Sequence, residues 1–192
     1  EICACLVGSE MCIRDRCPYV VCCDGAANTY IRSGRMPEAI VGDGDSLLPD
    51  IKERYASLIH SEAEQETNDL SKAFRFCLSQ ERKRITIMGA TGKREDHTIG
   101  NVSLLADYME QAEVSMMTDY GIFVPIREDS MFESYIGQQI SVFNMNSTAL
   151  SAEGLAYPLS VFTNWWQGTL NEALARHFII RTEGKVLVFR VF

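Results

Sequence analysis

Between residues 19 and 120 the chain alternates short apolar runs with helix-like segments, and most of the runs stop on Asp or Gly. Residues 19–23 (YVVCC) run into Asp24-Gly25, residues 39–41 end at Gly42, and residues 85–88 (ITIM) end at Gly89. Residues 114–117 form a further run. Residues 68–81 place Leu70, Ala73, Phe74, Cys77 and Leu78 on one stripe of a helix, at i, i+3, i+4, i+7 and i+8. Residues 96–109 do the same with Ile99, Val102, Leu105 and Ala106. Continuous apolar runs suit strands covered on both faces, and helices between them carry the chain back so that successive strands run parallel. The expectation is an α/β unit over residues 1–120, with a mostly parallel sheet and helices on both faces.

After about Gly121 the texture changes. Strand-like runs follow one another at 122–125, 139–143, 178–182 and 186–192, punctuated by Gly137, Gly154, Gly168 and Gly184, and no long helix is predicted. This pattern implies a small all-β, sandwich-like unit over residues 121–192.

Composition narrows the function. Of 192 residues, 18 are Lys or Arg and 26 are Asp or Glu, a net charge of −8 that argues against a nucleic-acid binder with a broad basic face. An anionic small ligand stays compatible, because a bound cation reverses the local sign. No apolar stretch is long enough to span a membrane as a helix. The cysteine count is odd, 7, with most of them crowded into the first 23 residues. With no signal-like segment, a disulfide framework is a poor reading, and the expected compartment is a reducing cytoplasm.

Carboxylates gather where the runs end. In Gly42-Asp43-Gly44-Asp45-Ser46, residues i and i+2 of an extended backbone point the same way, so Asp43 and Asp45 aim at one place. Two converging carboxylates repel unless a proton or cation sits between them, and Mg²⁺ suits such a donor set. The same residues also describe an ordinary Asp- and Gly-rich turn. Asp69 and Lys72 are neighbours on the helix surface, beside the apolar stripe; they read either as an anion-handling pair or as a first-turn acid with a solvated lysine. In residues 89–97 (GATGKREDH), backbone N–H groups at a helix start and the Arg94 fork suit phosphate, though Asp96 also fits as a plain helix cap. Asp24-Gly25-Ala26-Ala27-Asn28 repeats the theme of an acid at a strand end.

Taken in order, DGAAN (24–28), GDGDS (42–46), QETNDLSK (65–72) and GATGKREDH (89–97) resemble the thiamine pyrophosphokinase family. Residues 153–159 (EGLAYPL) and 168–172 (GTLNE) are similar to its later motifs, so the resemblance runs from about residue 18 to 192. It implies an α/β nucleotide-binding domain, a β-sandwich-like domain and a homodimer with active sites at the interface. It also implies transfer of pyrophosphate from ATP to the hydroxyethyl oxygen of thiamine, releasing AMP. Asp43, Asp45 and Asp69 would hold Mg²⁺. Asp69, Lys72 and Arg94 would serve the chemistry, and Asp24, Asn28, Gln65, Asp96 and His97 would line the nucleotide and metal site. Trp165 or Trp166 would offer a ring face to thiamine, and Thr169 and Asn171 hydrogen bonds.

Departures from the family pattern are visible. Leu170 stands where the family has Ser. Residues 1–17 lack the family's opening apolar strand and turn, and residues 6–16 (LVGSEMCIRDR) look like read-through of a sequencing adapter, so the sheet is expected to be one strand short. Two rival readings are a related pyrophosphokinase acting on a pterin alcohol and a non-catalytic thiamine or nucleotide sensor. The intact acid, Lys72 and Arg94 set argues against the sensor. Zinc or redox chemistry at the N-terminal cysteines is disfavoured, because Cys3-x-Cys5 and Cys22-Cys23 lack the two-residue spacing of metal-binding pairs.

Overall fold

Strand length and continuous burial organise the first half of the chain, as seen in a computed structural model. It describes residues 2–5 as backbone, and 19–62, 64 and 66–192. The chain divides into two compact units, Glu1–Val102 with Gln111–Asp119, and Ser103–Glu110 with Tyr120–Phe192.

In the first unit, strands β1 (Ile2–Cys5), β2 (Tyr19–Cys23), β3 (Ala39–Gly42), β4 (Ile59–Ser61), β5 (Arg84–Met88) and β6 (Glu113–Met117) pair in the order β6-β5-β1-β2-β3-β4. Every one of these pairings is parallel. Val21, Cys22, Val41 and Met88 are buried, as a strand covered on both faces requires. The expected gap in the sheet is corrected: Ile2–Cys5 lies between β2 and β5 and pairs with both, so the backbone groups of two interior strands find partners there. Residues 6–16 lie outside the described residues, as does Gln65.

The helices span Ala26–Arg32, Pro49–Arg54, Asp69–Ser79 and Glu95–Tyr108. In the Asp69–Ser79 helix, Asn68 caps the first turn by accepting from the Ser71 N–H, and Leu70, Ala73, Phe74 and Cys77 are buried as the stripe predicts. Lys72 departs from its expected place at the edge of the stripe: only 2% of it is exposed. Ile99 departs the other way and is 58% exposed, because the helix turns its covered face inward only from Val102 onward. Cys22, Cys23 and Cys77 are buried, and burial pushes the Cys77 thiol up to about 12.

The second unit holds two antiparallel sheets. One joins β7 (Gly121–Ile126), β9 (Gln139–Asn144), β11 (Asn171–Glu172) and β13 (Val186–Val191) in the order β11-β9-β13-β7. The other joins β8 (Ser130–Glu133), β10 (Ala149–Glu153) and β12 (His177–Glu183) with β12 in the middle. One cluster draws on both sheets, with Ile140, Val142 and Val188 from the first and Phe132, Leu150, Phe178 and Ile180 from the second. Phe132 and Phe178 stack with centroids 5.1 Å apart. Gly168 ends a short 3-10 turn, Trp165–Gly168, where a Cβ would stand 1.8 Å from the Val142 carbonyl oxygen, so no other residue fits. Among the described residues, no helix is long and apolar enough to cross a membrane.

Candidate functional site

The carboxyl ends of β2 and β3 are knitted together before any ligand is considered. Asp24 follows β2 with φ of 33°, left-handed backbone that an Asp tolerates better than most residues. Its N–H donates to the Val41 carbonyl, and its Oδ2 accepts from the Ser46 N–H at 3.1 Å. Gly42 makes room for it, since a Cβ there would lie 2.7 Å from the Asp24 Cβ. Asn28 spans the same loop, donating to the Ser46 carbonyl at 2.8 Å and accepting from the Leu48 N–H at 3.0 Å. Asn28 thus holds the 42–48 loop in place. Within it, Asp43 Oδ1 accepts from the Asp45 N–H, and the Ser46 hydroxyl donates to Asp45 Oδ1.

This loop brings carboxylate oxygens of Asp24, Asp43 and Asp45 within 4.8 Å of one another. Asp24 is 3% exposed, and among the described residues its Oδ1 has no hydrogen-bond partner. Burial raises its carboxyl above the usual range; the Ser46 hydrogen bonds pull it back, and the charges of Asp69 and Asp43 add to the rise. A buried carboxylate with an unpartnered oxygen, grouped with two more carboxylates, is a donor set for a hard cation.

A cleft of about 610 Å³ opens over these groups. It is lined by Asp24, Asn28, Asp43, Asp45, Asp69, Lys72 and His97, all of them expected site residues. Asp69, expected with Asp43 and Asp45, lines the same cleft and accepts from Lys72 Nζ at 3.2 Å. Arg94 and Asp96 do not line this cleft. They form an exposed two-pronged pair, and Arg94 lines a neighbouring hollow of about 150 Å³ that shares Lys93, His97 and Asn101 with the cleft. The Arg94 guanidinium holds the Asp96 carboxyl down to about 2.

Several lining residues were not anticipated: Ser46, Thr67, Asn68, Lys93 and Asn101. Lys93 follows Gly92 in the loop already singled out. Asn101 lies one turn after His97, so an i, i+4 pairing of polar groups was the available signal.

The aromatic candidates sit in the second unit. Trp165 packs edge-on to Phe143 at 6.0 Å, whereas Trp166 is 72% exposed. The Thr169 hydroxyl donates to the Trp166 carbonyl. Asn171 is buried, and its amide is engaged by the backbone: Oδ1 accepts from the Tyr157 and Glu172 N–H groups, and Nδ2 donates to the Tyr157 carbonyl. Leu170, at φ of 63°, is 78% exposed between them.

Residues 13–117 match the family model for the thiamin pyrophosphokinase catalytic domain, and residues 121–189 match that for its substrate-binding domain. Among relatives, thiamine pyrophosphokinase 1 of Oryza sativa subsp. japonica is 30% identical over 135 residues, 57% of this chain and 51% of that protein. The chain spans about half the length of the first relatives it matches. The crystal structure of thiamine pyrophosphokinase from Bacillus subtilis superposes with a TM-score of 0.82 at 20% identity, over 99% of this chain and 97% of that one. The yeast enzyme superposes with a TM-score of 0.80 at 16% identity, over 100% of this chain and 85% of that one. At such identities these likenesses speak for the fold.

Proposed function

The chain belongs to the thiamin pyrophosphokinase family, and from that premise we propose that it transfers pyrophosphate from ATP to the hydroxyethyl oxygen of thiamine, giving thiamine diphosphate and AMP. The observation that carries the reading is the convergence of Asp24, Asp43 and Asp45 in a cleft that also holds Asp69 and Lys72.

In this reading residues 1–120 form the catalytic domain and residues 121–192 the thiamine-binding domain. The hydroxyethyl oxygen attacks the β-phosphorus, the bond from that phosphorus to the α–β bridging oxygen breaks, and AMP leaves with the bridging oxygen. The hydroxyl proton passes to Asp69. Such transfers depend on positioning and charge neutralisation more than on covalent chemistry. Lys72 and Arg94 stabilise negative charge on the transferred group, Arg94 after exchanging Asp96 for phosphate oxygens. Asn28 and His97 line the nucleotide and metal site; Asp96 stands outside the cleft and holds Arg94 until phosphate takes its place, and Gln65 is assigned to the nucleotide by the family resemblance. The all-oxygen donor set fits Mg²⁺, which Asp43, Asp45 and Asp69 would hold; the oxygens that converge within 4.8 Å are those of Asp24, Asp43 and Asp45, so Asp24 would be a further ligand. When bound, it offsets the charge of the triphosphate.

Trp166 is the exposed aromatic face for thiamine, with Trp165, Thr169 and Asn171 shaping the ground around it. The protein works as a cytoplasmic homodimer with its active sites at the interface.

The test is AMP release from ATP and Mg²⁺ with thiamine or with a pterin alcohol as acceptor. Thiamine-dependent AMP is expected. A preference for the pterin alcohol would replace the acceptor, and nucleotide binding without AMP from either would favour the sensor reading.

A further inference from the structure

Two walls of the cleft come from separate stretches of chain, the first turn of the Asp69–Ser79 helix and Lys93 of the 89–94 loop, which also lines the neighbouring hollow. A single file of amides joins them. The Ser71 N–H donates to Asn68 Oδ1 at 2.9 Å. Asn68 Nδ2 donates to Asn101 Oδ1 at 3.2 Å, and Asn101 Nδ2 donates to the Ala90 carbonyl at 2.8 Å.

Both ends of this file are backbone groups of fixed polarity, since an N–H only donates and a carbonyl only accepts. The orientation of each amide is therefore dictated from both sides. Flipping either one sets two acceptors or two donors face to face, so the file has one satisfied arrangement. Asn101 is the member that reaches both walls.

We propose that Asn101 is a positioning residue: through Asn68 and Ala90 it fixes the distance between the helix start that carries Asp69 and the loop that carries Lys93. The inference rests on reading the cleft as a nucleotide site. A bound triphosphate has to meet acids on one wall and a base-bearing loop on the other. Because geometry controls transfer steeply, a loosened wall costs rate and affinity without unfolding the domain.

A double-variant cycle on the full chain tests this. Asn101→Leu keeps the branched shape and removes both hydrogen bonds. Asn68→Asp keeps the helix cap, because its oxygen still accepts from Ser71, and replaces the donor to Asn101 with a charged acceptor, a charge present in both backgrounds of the cycle. Kd for Mg·ATP is measured by calorimetry without an acceptor, alongside Tm and steady-state AMP release. Asn101→Leu is expected to raise Kd and the KM for ATP by about tenfold, with kcat changed less and the fold retained. Adding Asn68→Asp to Asn101→Leu is expected to cost less than Asn68→Asp costs alone, because the file is already broken and only the added charge remains to be felt.

Asn68→Asp costs that are the same in both backgrounds, or a loss confined to kcat and Tm, would overturn the proposal. If the leucine variant does not fold, Asn101→Ser removes the same bonds and takes its place in the cycle. A wild-type chain that binds Mg·ATP but makes no AMP with thiamine defeats the functional reading, while the Kd cycle still decides the role of Asn101. A wild-type chain that binds no nucleotide defeats both.

Discussion

Lys72 Nζ lies 3.2 Å from Asp69 Oδ1, one helical turn away, and the pair is lopsided: the lysine side chain is 3% exposed and the aspartate 39%. The ammonium is the buried partner and depends on Asp69 for compensation. Asp69→Asn should therefore destabilise, by about 1–2 kcal/mol, less than the 3–5 of a fully buried pair because water reaches the aspartate. Lys72→Met removes the buried charge at similar volume and should leave Tm near the wild-type value. Both should lose turnover by about a hundredfold or more. Calorimetric melts and AMP release on both variants check this, and a larger Tm loss for Lys72→Met would contradict it.

Asp24 is the costlier acid. Its folded pKa is raised, chiefly by burial, so the ionised form is penalised at neutral pH. That cost is present above the folded pKa and is relieved as pH falls through it. Asp24→Asn should therefore raise Tm at pH 7 by a few degrees, and Asn also accepts the left-handed backbone and the Ser46 N–H. The same change should weaken cation binding. Added Mg²⁺ should raise the melting temperature of the wild type, which binds it in the folded state, more than that of Asp24→Asn. A variant that melts lower than wild type without Mg²⁺ would contradict the reading.

The depth of Lys72 marks where sequence reading stops. Periodicity assigns an angle around a helix, and it placed Leu70, Ala73, Phe74 and Cys77 on the covered side. It does not say how far the neighbouring cover extends, and that cover is what buries Lys72. Ile99 fails for the mirror-image reason, since the described residues leave it 58% exposed. The Ala26–Arg32 and Pro49–Arg54 helices are too short to show a period, and β4 and β8 carry too few buried residues to stand out. The acids at Asp24, Asp43 and Asp45 were legible because strand ends and an i, i+2 spacing are local. Asn101 was not, because its partners lie 33 and 11 residues away and only the folded chain brings them together.

Glu64 should give the protein a pH-dependent loop. It accepts from the Thr67 hydroxyl and from the Glu66 and Thr67 N–H groups, and Arg75 reaches Glu62, Glu64 and Thr67. The Thr67 and Arg75 hydrogen bonds lower its carboxyl from 4.5 to about 2. The sign follows for a depressed carboxyl: its contribution is complete above 4.5 and is lost as pH falls toward 2. Glu64→Gln should melt below wild type at pH 7, and the difference should close between pH 4.5 and 2. A difference that stays constant over that window would show that the loop does not depend on the charge.

Trp165 and Trp166 should separate packing from substrate contact. Trp165 meets the edge of Phe143 at 6.0 Å, whereas Trp166 is 72% exposed. An exposed indole contributes little to folding, but it offers a face to a cationic ring, an interaction of about 0.5–2 kcal/mol that rises as water is excluded. Trp165→Ala should therefore lower Tm and affect both substrates alike through the loosened turn. Trp166→Ala should leave Tm within a degree or two of wild type and raise the KM for thiamine by about three- to thirtyfold, with the KM for ATP nearly unchanged. Steady-state AMP release with each substrate varied in turn checks the split. Equal rises in both KM values for Trp166→Ala would mean that this ring, too, serves packing, and thiamine would have to find its aromatic partner elsewhere in the 121–192 unit.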